Sequence, residues 1–311
     1  MPEGHSVHRL ATQLGDVFGG QALVVSSPQG RFSDGAAILD GRRLVSSRAH
    51  GKQLFLELAA PDDPSDVLIM RSHLGIYGAW GFAGDSEFSA ASSIGAPRRL
   101  GERESEDSLQ SVEHDDDGRV IPDPPVGAVR VRLVGDHGWA DLRGPALCTV
   151  ETPDEAAAAE AKLGPDPLDP DADPAAFCER AARSRRPIAV LLMEQDMIAG
   201  VGNIFRAESL FRQGVDPFLP GVSASEETLE ALWSENVELM RTGVRLGRII
   251  TTDPSDRPGI DEAEAWPEQA NYVYGRAGLP CRRCGTTVQR QKLAGRALFW
   301  CPSCQPPVSP R

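Results

Sequence analysis

Four cysteines near the C-terminus have the spacing of metal ligands. Cys281 and Cys284 form one pair, Cys301 and Cys304 form a second, and sixteen residues separate the pairs. Each pair fits on a tight turn, so that four thiolates can converge tetrahedrally on Zn²⁺. In a cytosolic chain of this length, such pairs are metal ligands more often than disulfides. Because four thiolates leave no open coordination position, the sequence predicts one structural zinc ion.

The segment between the two cysteine pairs is predicted to form a β-hairpin over residues 288–299, with Arg296 next to Gly295. An arginine on a rigid, metal-stapled hairpin is well placed to bind a phosphate group. The alternative is an ordinary surface arginine.

The N-terminus offers a nucleophile. Removal of Met1 would leave Pro2 as a secondary amine, which can attack an aldehyde-like carbon to form an iminium ion. The positive end of the predicted helix that follows should lower the pKa of this amine, and Glu3 could transfer protons. The same helix end should keep Glu3 ionised, so that an acid role requires burial or a hydrogen bond. The alternative is that Pro2 only permits the start of a helix.

Two further segments could bind phosphate. Gly200-Val201-Gly202-Asn203 lies between two helical runs, so the free N–H groups of the second helix and the Asn203 amide could both bind an anion. The alternative is a helix–turn–helix corner with Asn203 as the N-cap. Lys52 follows Gly51 at the end of a predicted hairpin and could contact phosphate or simply be exposed. Ile76 and Tyr77 could wedge into a base stack, although such residues more often belong to a core.

The elements that must position these residues predict an α+β protein. An N-terminal helix, with Val7, Leu10 and Leu14 on one face, precedes alternating segments such as 129–134, which indicates a β-sandwich. A helical domain and the cysteine ribbon follow. The predicted parts are an N-terminal catalytic domain (1–150) with a mobile acidic insertion (83–126), a linker (151–173), a helical domain (174–250, with one helix from about Ser225 to Leu246) and a zinc-ribbon finger (272–306).

The net charge of −13 is unevenly distributed. Acidic residues concentrate in residues 85–123 and 151–173, whereas the chain from Arg276 onward has no Asp or Glu. A local basic face can bind phosphates on an acidic protein, because salt confines electric fields to about 8–10 Å. No apolar run approaches the roughly 18–20 residues of a membrane span, and no secretory signal is evident. We therefore expect a cytoplasmic protein without a membrane partner.

These segments together resemble the formamidopyrimidine-DNA glycosylase and endonuclease VIII family. The resemblance covers nearly the whole chain except the insertion and linkers. It rests on Met1-Pro2-Glu3-Gly4, His50-Gly51-Lys52, Ala199-Gly200-Val201-Gly202-Asn203-Ile204 and the four-cysteine ribbon with Gly295-Arg296. The stretch Ser72-His73 with Tyr77-Gly78-Ala79-Trp80 is closer to endonuclease VIII, whereas Tyr274-Gly275-Arg276-Ala277-Gly278 is similar to the formamidopyrimidine branch.

The resemblance implies a bifunctional DNA glycosylase and abasic-site lyase with a helix–two-turn–helix motif, binding double-stranded DNA between two domains. It implies a monomer at the nucleoid that acts on abasic sites or on damaged bases, with a preference for oxidised pyrimidines. The implied catalytic residues are Pro2 as the nucleophile, Glu3 for proton transfer, Lys52, and Glu208 near the nucleophile; the implied phosphate ligands are Lys52, Asn203 and Arg296, and Ile76 and Tyr77 fill the gap left by the flipped base.

Two other readings compete with this one. A DNA-binding or damage-sensing zinc protein without chemistry would use the same ribbon and helices, and would not need Pro2 and Glu3. A tautomerase-like enzyme with an N-terminal proline base would act on small keto acids, but it would need neither the ribbon nor the basic tail.

Overall fold

The computed structural model describes residues 2–96, 112–116, 118–262, 264–265 and 267–307. The chain divides into two compact units. The first comprises Met1–Pro2 and Ser6–Ala161, and the second comprises Glu3–His5 and Lys162–Arg311. Among the described residues, no helix combines the length and the apolar character needed to cross a membrane.

The first unit is a β-sandwich with helices. Its helices are α1 (Gly4–Phe18, which begins in the second unit), α2 (Ser33–Leu39) and α3 (Pro153–Glu160), and its strands are β1 (Val24–Ser26), β2 (Arg43–His50), β3 (Gln53–Ala59), β4 (Val67–His73), β5 (Ala79–Gly84), β6 (Ser93–Gly95), β7 (Val129–Val134), β8 (Gly138–Arg143) and β9 (Leu147–Glu151). One antiparallel sheet has the order β1-β7-β8-β5-β6, and the other has the order β2-β3-β4-β9.

Alternation along the strands builds the core of this unit. Leu54, Leu56 and Leu58 of β3 face the same buried cluster as Leu133 of β7 and the apolar face of α1. This is the period of two that a half-buried strand requires. The predicted N-terminal helix, the hairpin at Gly51 and the strand over 129–134 are therefore confirmed.

The expected linker contains a helix. Thr152 caps the N-terminus of α3, and Glu155 returns a side-chain bond to the Thr152 N–H in a reciprocal capping box. Ala156 of α3 packs against Phe55 and Ile69. Residues 153–160 thus cover the outer face of a sheet, which the alanine-rich composition of this segment had not indicated.

The expected insertion over 83–126 is also partly built into the sandwich. Strand β6 pairs with β5, and Phe88 and Ile94 are buried in the core beside Phe18. The segment is rich in polar residues, so the sequence pattern did not indicate that Phe88 and Ile94 belong to the core. Residues 97–111 and 117, at the centre of the insertion, lie outside the described residues.

The second unit is mainly helical. It contains α4 (Pro174–Ala182), α5 (Ile188–Leu191), α6 (Asn203–Arg212), α7 (Glu226–Leu246) and α8 (Pro267–Ala270), followed by a hairpin of β10 (Gln289–Leu293) and β11 (Arg296–Trp300). Ser225 caps α7, and Gly247 ends it in the left-handed conformation. The predicted helix from Ser225 to Leu246 and the predicted hairpin between the cysteine pairs are both confirmed.

Phe88 tests whether the start of the insertion belongs to the core. Replacing Phe88 with Ala should lower the free energy of unfolding of the first unit by about 3–5 kcal/mol, because a buried aromatic ring leaves a cavity. Urea denaturation measures the change. Ile121→Ala, at an exposed residue of the same expected insertion, is the control and should stay within about 0.5 kcal/mol of the parent. Equal stability of the Phe88 variant and the parent would contradict the placement.

Candidate nucleic-acid site and metal centre

The carboxylate of Glu3 is seated on the N-terminus of α6. It accepts hydrogen bonds from the backbone N–H groups of Gly202 (3.1 Å), Ile204 (2.8 Å) and Phe205 (3.3 Å), and the residue is fully buried. A helix N-terminus attracts an anion because its first N–H groups have no partner within the helix. The sequence suggested that these groups bind phosphate, and this expectation is wrong in the structure, because Glu3 occupies them.

Glycines allow this close approach. A Cβ on Gly202 would lie 2.4 Å from Cδ of Glu3, and a Cβ on Gly4 would lie 2.7 Å from Cα of Gly200. The N–H of Gly4 also donates to the Gly200 carbonyl at 2.9 Å. Gly4 and Gly202 are therefore needed for this contact.

Asn203 is the first residue of α6, and Gly202 is the N-cap. The alternative that made Asn203 the N-cap is therefore wrong. The Asn203 amide instead donates from Nδ2 to the carbonyl of Ala297 at 2.9 Å. Ala297 lies in β11, directly after Arg296, so that the start of α6 is tied to the hairpin.

Arg206 joins the same contact, and the sequence analysis missed it. Its Nη2 donates to Oδ1 of Asn203 and, at 3.1 Å, to the Ala297 carbonyl, while Nη1 donates to the Ala189 carbonyl at 3.3 Å. The side chain is fully buried, and burial lowers its pKa to about 10. The signal was an arginine one helical turn after Asn203 among apolar residues.

Arg296 is exposed at the start of β11, opposite Leu293. Ala294 and Gly295 form the turn, both with positive φ. Beside Arg296, the residues Arg290 and Lys292 help to line an open depression on the hairpin. The hairpin thus presents a basic surface.

The four cysteines form a compact ligand cluster. Their Sγ atoms all lie within 4.8 Å of one another, with 3.8 Å between Cys281 and Cys304 and 3.4 Å between Cys284 and Cys301. Tetrahedral Zn–S bonds of about 2.3 Å place sulfur atoms about 3.8 Å apart. The donor set therefore fits a structural metal ion with the geometry of zinc.

Glu208 anchors the segment that leads into the ribbon. Its carboxylate accepts the backbone N–H groups of Tyr272 (2.8 Å), Val273 (2.9 Å) and Tyr274 (2.7 Å), together with the hydroxyl of Thr251. The acceptor positions of a buried carboxylate are largely filled by these four donors. These contacts give Glu208 a structural role in addition to the catalytic role that the resemblance implied.

Arg283 provides a second anchor for the ribbon. It lies between Cys281 and Cys284, and its guanidinium stacks over the rings of Phe211 and Tyr272 and pairs with Asp253 at 3.2 Å. The ribbon is thereby attached to the helices of the second unit.

The first unit presents its candidate residues on turns. Lys52 follows Gly51 in the β2–β3 turn, and His73 lies nearby at the end of β4. Burial lowers the pKa of His73, and the charge of Lys52 acts in the same direction. In the turn between β4 and β5, Tyr77 is 83% exposed and Ile76 is 42% exposed. These two residues are therefore outside the core.

Pro2, in the same unit, is buried.

The fold combines a β-sandwich, a helical domain and a four-cysteine ribbon. The family model described as the formamidopyrimidine-DNA glycosylase H2TH domain matches residues 163–255, and the model of the zinc finger found in FPG and IleRS matches residues 278–307. Endonuclease 8 1 of Mycobacterium tuberculosis is 40% identical over 306 residues, which cover 98% of this chain and 100% of that protein. The chain belongs to the formamidopyrimidine-DNA glycosylase and endonuclease VIII family.

Other relatives match a smaller part. The formamidopyrimidine-DNA glycosylase of Geobacillus kaustophilus is 41% identical over 145 residues, or 47% of this chain and 52% of that protein. Among solved structures, the Lactococcus lactis Fpg complex with DNA containing an abasic site has a TM-score of 0.71 at 21% identity and covers 97% of this chain and 99% of that one. This likeness confirms the predicted fold.

Glu208 should control how firmly the ribbon holds its metal. In Glu208→Gln, an amide group replaces an oxygen that accepts buried N–H groups, and each such loss costs about 1–3 kcal/mol. Release of zinc to a coloured chelator should therefore be about tenfold faster. Glu230→Gln, at an exposed position of α7, is the control. Unchanged release from the Glu208 variant would show that this carboxylate does not anchor the ribbon.

Proposed function

We propose that this protein is a bifunctional DNA glycosylase and abasic-site lyase that uses Pro2 as its nucleophile. The observation that carries the proposal is the buried Glu3 carboxylate on α6, adjacent in the chain to Pro2 and in the same unit as Asn203 and Arg296. A proton-transfer group next to a secondary amine, with phosphate ligands on the neighbouring elements, suits chemistry at a sugar carbon of DNA.

In the first step, the Pro2 nitrogen displaces the damaged base from the sugar. The nucleotide is flipped out of the helix, and the Pro2 nitrogen bonds to C1′. The C1′–N bond of the base breaks with its electron pair, and the base takes up a proton. Opening of the sugar ring at O4′ and loss of the amine proton then give an iminium ion between Pro2 and C1′.

The second step cuts the backbone. The positive iminium acidifies the C2′ proton, and its removal breaks the C3′–O bond and releases the 3′ phosphate. A further elimination releases the 5′ phosphate. Water finally hydrolyses the iminium and restores the amine.

Glu3 serves this sequence as a carboxylate. Three backbone N–H donors and the positive end of α6 favour its ionised form. An ionised carboxylate beside Pro2 can accept the amine proton and can stabilise the positive iminium.

Three residues hold the phosphates that flank the lesion. Lys52 contributes from the β2–β3 turn, Asn203 from the start of α6 and Arg296 from the hairpin. The contacts of the two cations, Lys52 and Arg296, displace counterions, so binding should weaken as salt increases. One structural Zn²⁺ on the four cysteines would keep the hairpin rigid without taking part in bond changes.

The exposed pair Ile76 and Tyr77 fills the gap left by the flipped base. Its exposure suits insertion into a base stack. The full-length match to a protein named endonuclease 8 supports a preference for oxidised pyrimidines over purines. We further propose that the protein acts as a monomer on duplex DNA at the nucleoid, because all these groups come from one chain.

Borohydride trapping tests the nucleophile. The protein is mixed with a duplex that contains one abasic site, and borohydride reduces the iminium to a permanent bond. Intact mass should show a crosslinked species that lacks Met1, and peptide mapping should place the bond on Pro2. The same chain with an uncleavable N-terminal extension is the control and should not crosslink. Absence of a crosslink from zinc-loaded protein that binds this duplex would instead favour a damage-sensing role.

Tyr77→Ala should weaken action on duplex DNA only. A duplex needs its gap filled, whereas a single strand has no stack to restore, and stacking contributes about 1–3 kcal/mol per base. The variant should therefore lose about tenfold in kcat/KM on a duplex with an oxidised pyrimidine and little on a single-stranded abasic site. Val126→Ala, at another exposed apolar residue, is the control. Equal losses on both substrates would contradict gap filling.

A further inference from the structure

Arg206 is a buried cation whose bonded partners are uncharged. Its three acceptors are the carbonyls of Ala189 and Ala297 and the amide oxygen of Asn203. Within the described part of the chain, its Nε–H has no hydrogen-bond partner. A buried charge is costly unless it is compensated, so we expect this guanidinium to have a specific role.

Asn203 shows what this cation does. A side-chain amide has an acceptor end and a donor end of nearly the same shape, and hydrogen-bond partners decide which end points where. Arginine can only donate, so the Asn203 oxygen must face Arg206. The NH₂ group donates to the Ala297 carbonyl, which Arg206 also contacts. The donor end of this amide is the end that a phosphate oxygen requires.

We propose that Arg206 is a positioning residue for phosphate binding: it holds the Asn203 oxygen, so that the NH₂ end of the amide, and not its oxygen, meets the phosphate. This inference rests on the proposed function. A reversed amide would present an oxygen to the phosphate and repel it.

A double-mutant cycle tests the inference. The probe is a duplex with a tetrahydrofuran residue, which is an abasic site that cannot be cleaved, and Kd is measured at several salt concentrations. Arg206→Met and Asn203→Ala should each weaken binding about tenfold, as expected for hydrogen bonds to a charged group. Together they should bind no more weakly than Asn203→Ala alone, because Arg206 acts through Asn203. The salt slope should stay close to that of the parent protein in both single variants, because the Asn203 amide that Arg206 positions carries no charge.

Controls separate this role from general stability. Arg241→Met removes an exposed arginine of α7 and should leave Kd unchanged. Zinc content and melting temperature are measured for every variant. If Arg206→Met loses zinc or melts earlier, the cycle is repeated with Arg206→Lys, which keeps the charge but cannot reach both Asn203 and Ala297, and coupling is again expected.

Each outcome has one meaning. Coupled losses with an unchanged salt slope support the positioning role, whereas a lower slope in Arg206→Met would indicate a direct ionic contact with phosphate and overturn it. Additive losses, or an Arg206 variant that binds like the parent protein, overturn it. If the parent protein itself fails to bind the duplex, the proposed function fails, and this result differs from additive losses in a protein that binds.

Discussion

The bond between the Glu3 carboxylate and the N-terminus of α6 is the constraint on which the site depends. A buried carboxylate must find donors, and the first turn of a helix supplies several N–H groups together with a favourable dipole. This contact brings Glu3 and Gly4 against residues 200–202, and the short distances require glycine at positions 4 and 202. Glu3 directly follows the proposed nucleophile in the chain, and this one electrostatic contact holds it on the helix that begins with Asn203.

The ribbon is located by a second set of buried polar contacts. Four thiolates shape the ribbon, but its attachment comes from Glu208, which binds the segment before it, and from Arg283, which stacks on aromatic rings of the helical unit. These anchors hold Ala297 within reach of α6, where Asn203 and Arg206 bind its carbonyl. The strand that begins with Arg296 is therefore tied to α6.

The sandwich of the first unit supports its turns in a different way. Strand pairing and an apolar core fix the ends of β2, β3, β4 and β5, and the turns between them project residues that the core does not use. Lys52 and the exposed pair Ile76 and Tyr77 belong to these turns. Functional residues often lie on such connections, because a rigid scaffold can orient them without including them in its packing.

Local patterns in the sequence determined the zinc ligands, the long helices and the strands with period two. They also determined the candidate residues Pro2, Glu3, Asn203 and Arg296. All these features depend on residues a few positions apart. Only the tertiary structure decided that Glu3 occupies the start of α6, that Glu208 accepts hydrogen bonds from the segment before the ribbon, that Arg206 donates to Asn203 and that Phe88 is core. Each of these outcomes joins segments that are distant in the chain. A buried polar or aromatic group takes its partner from whichever distant segment the fold brings next to it, and spacing along the chain does not carry that information.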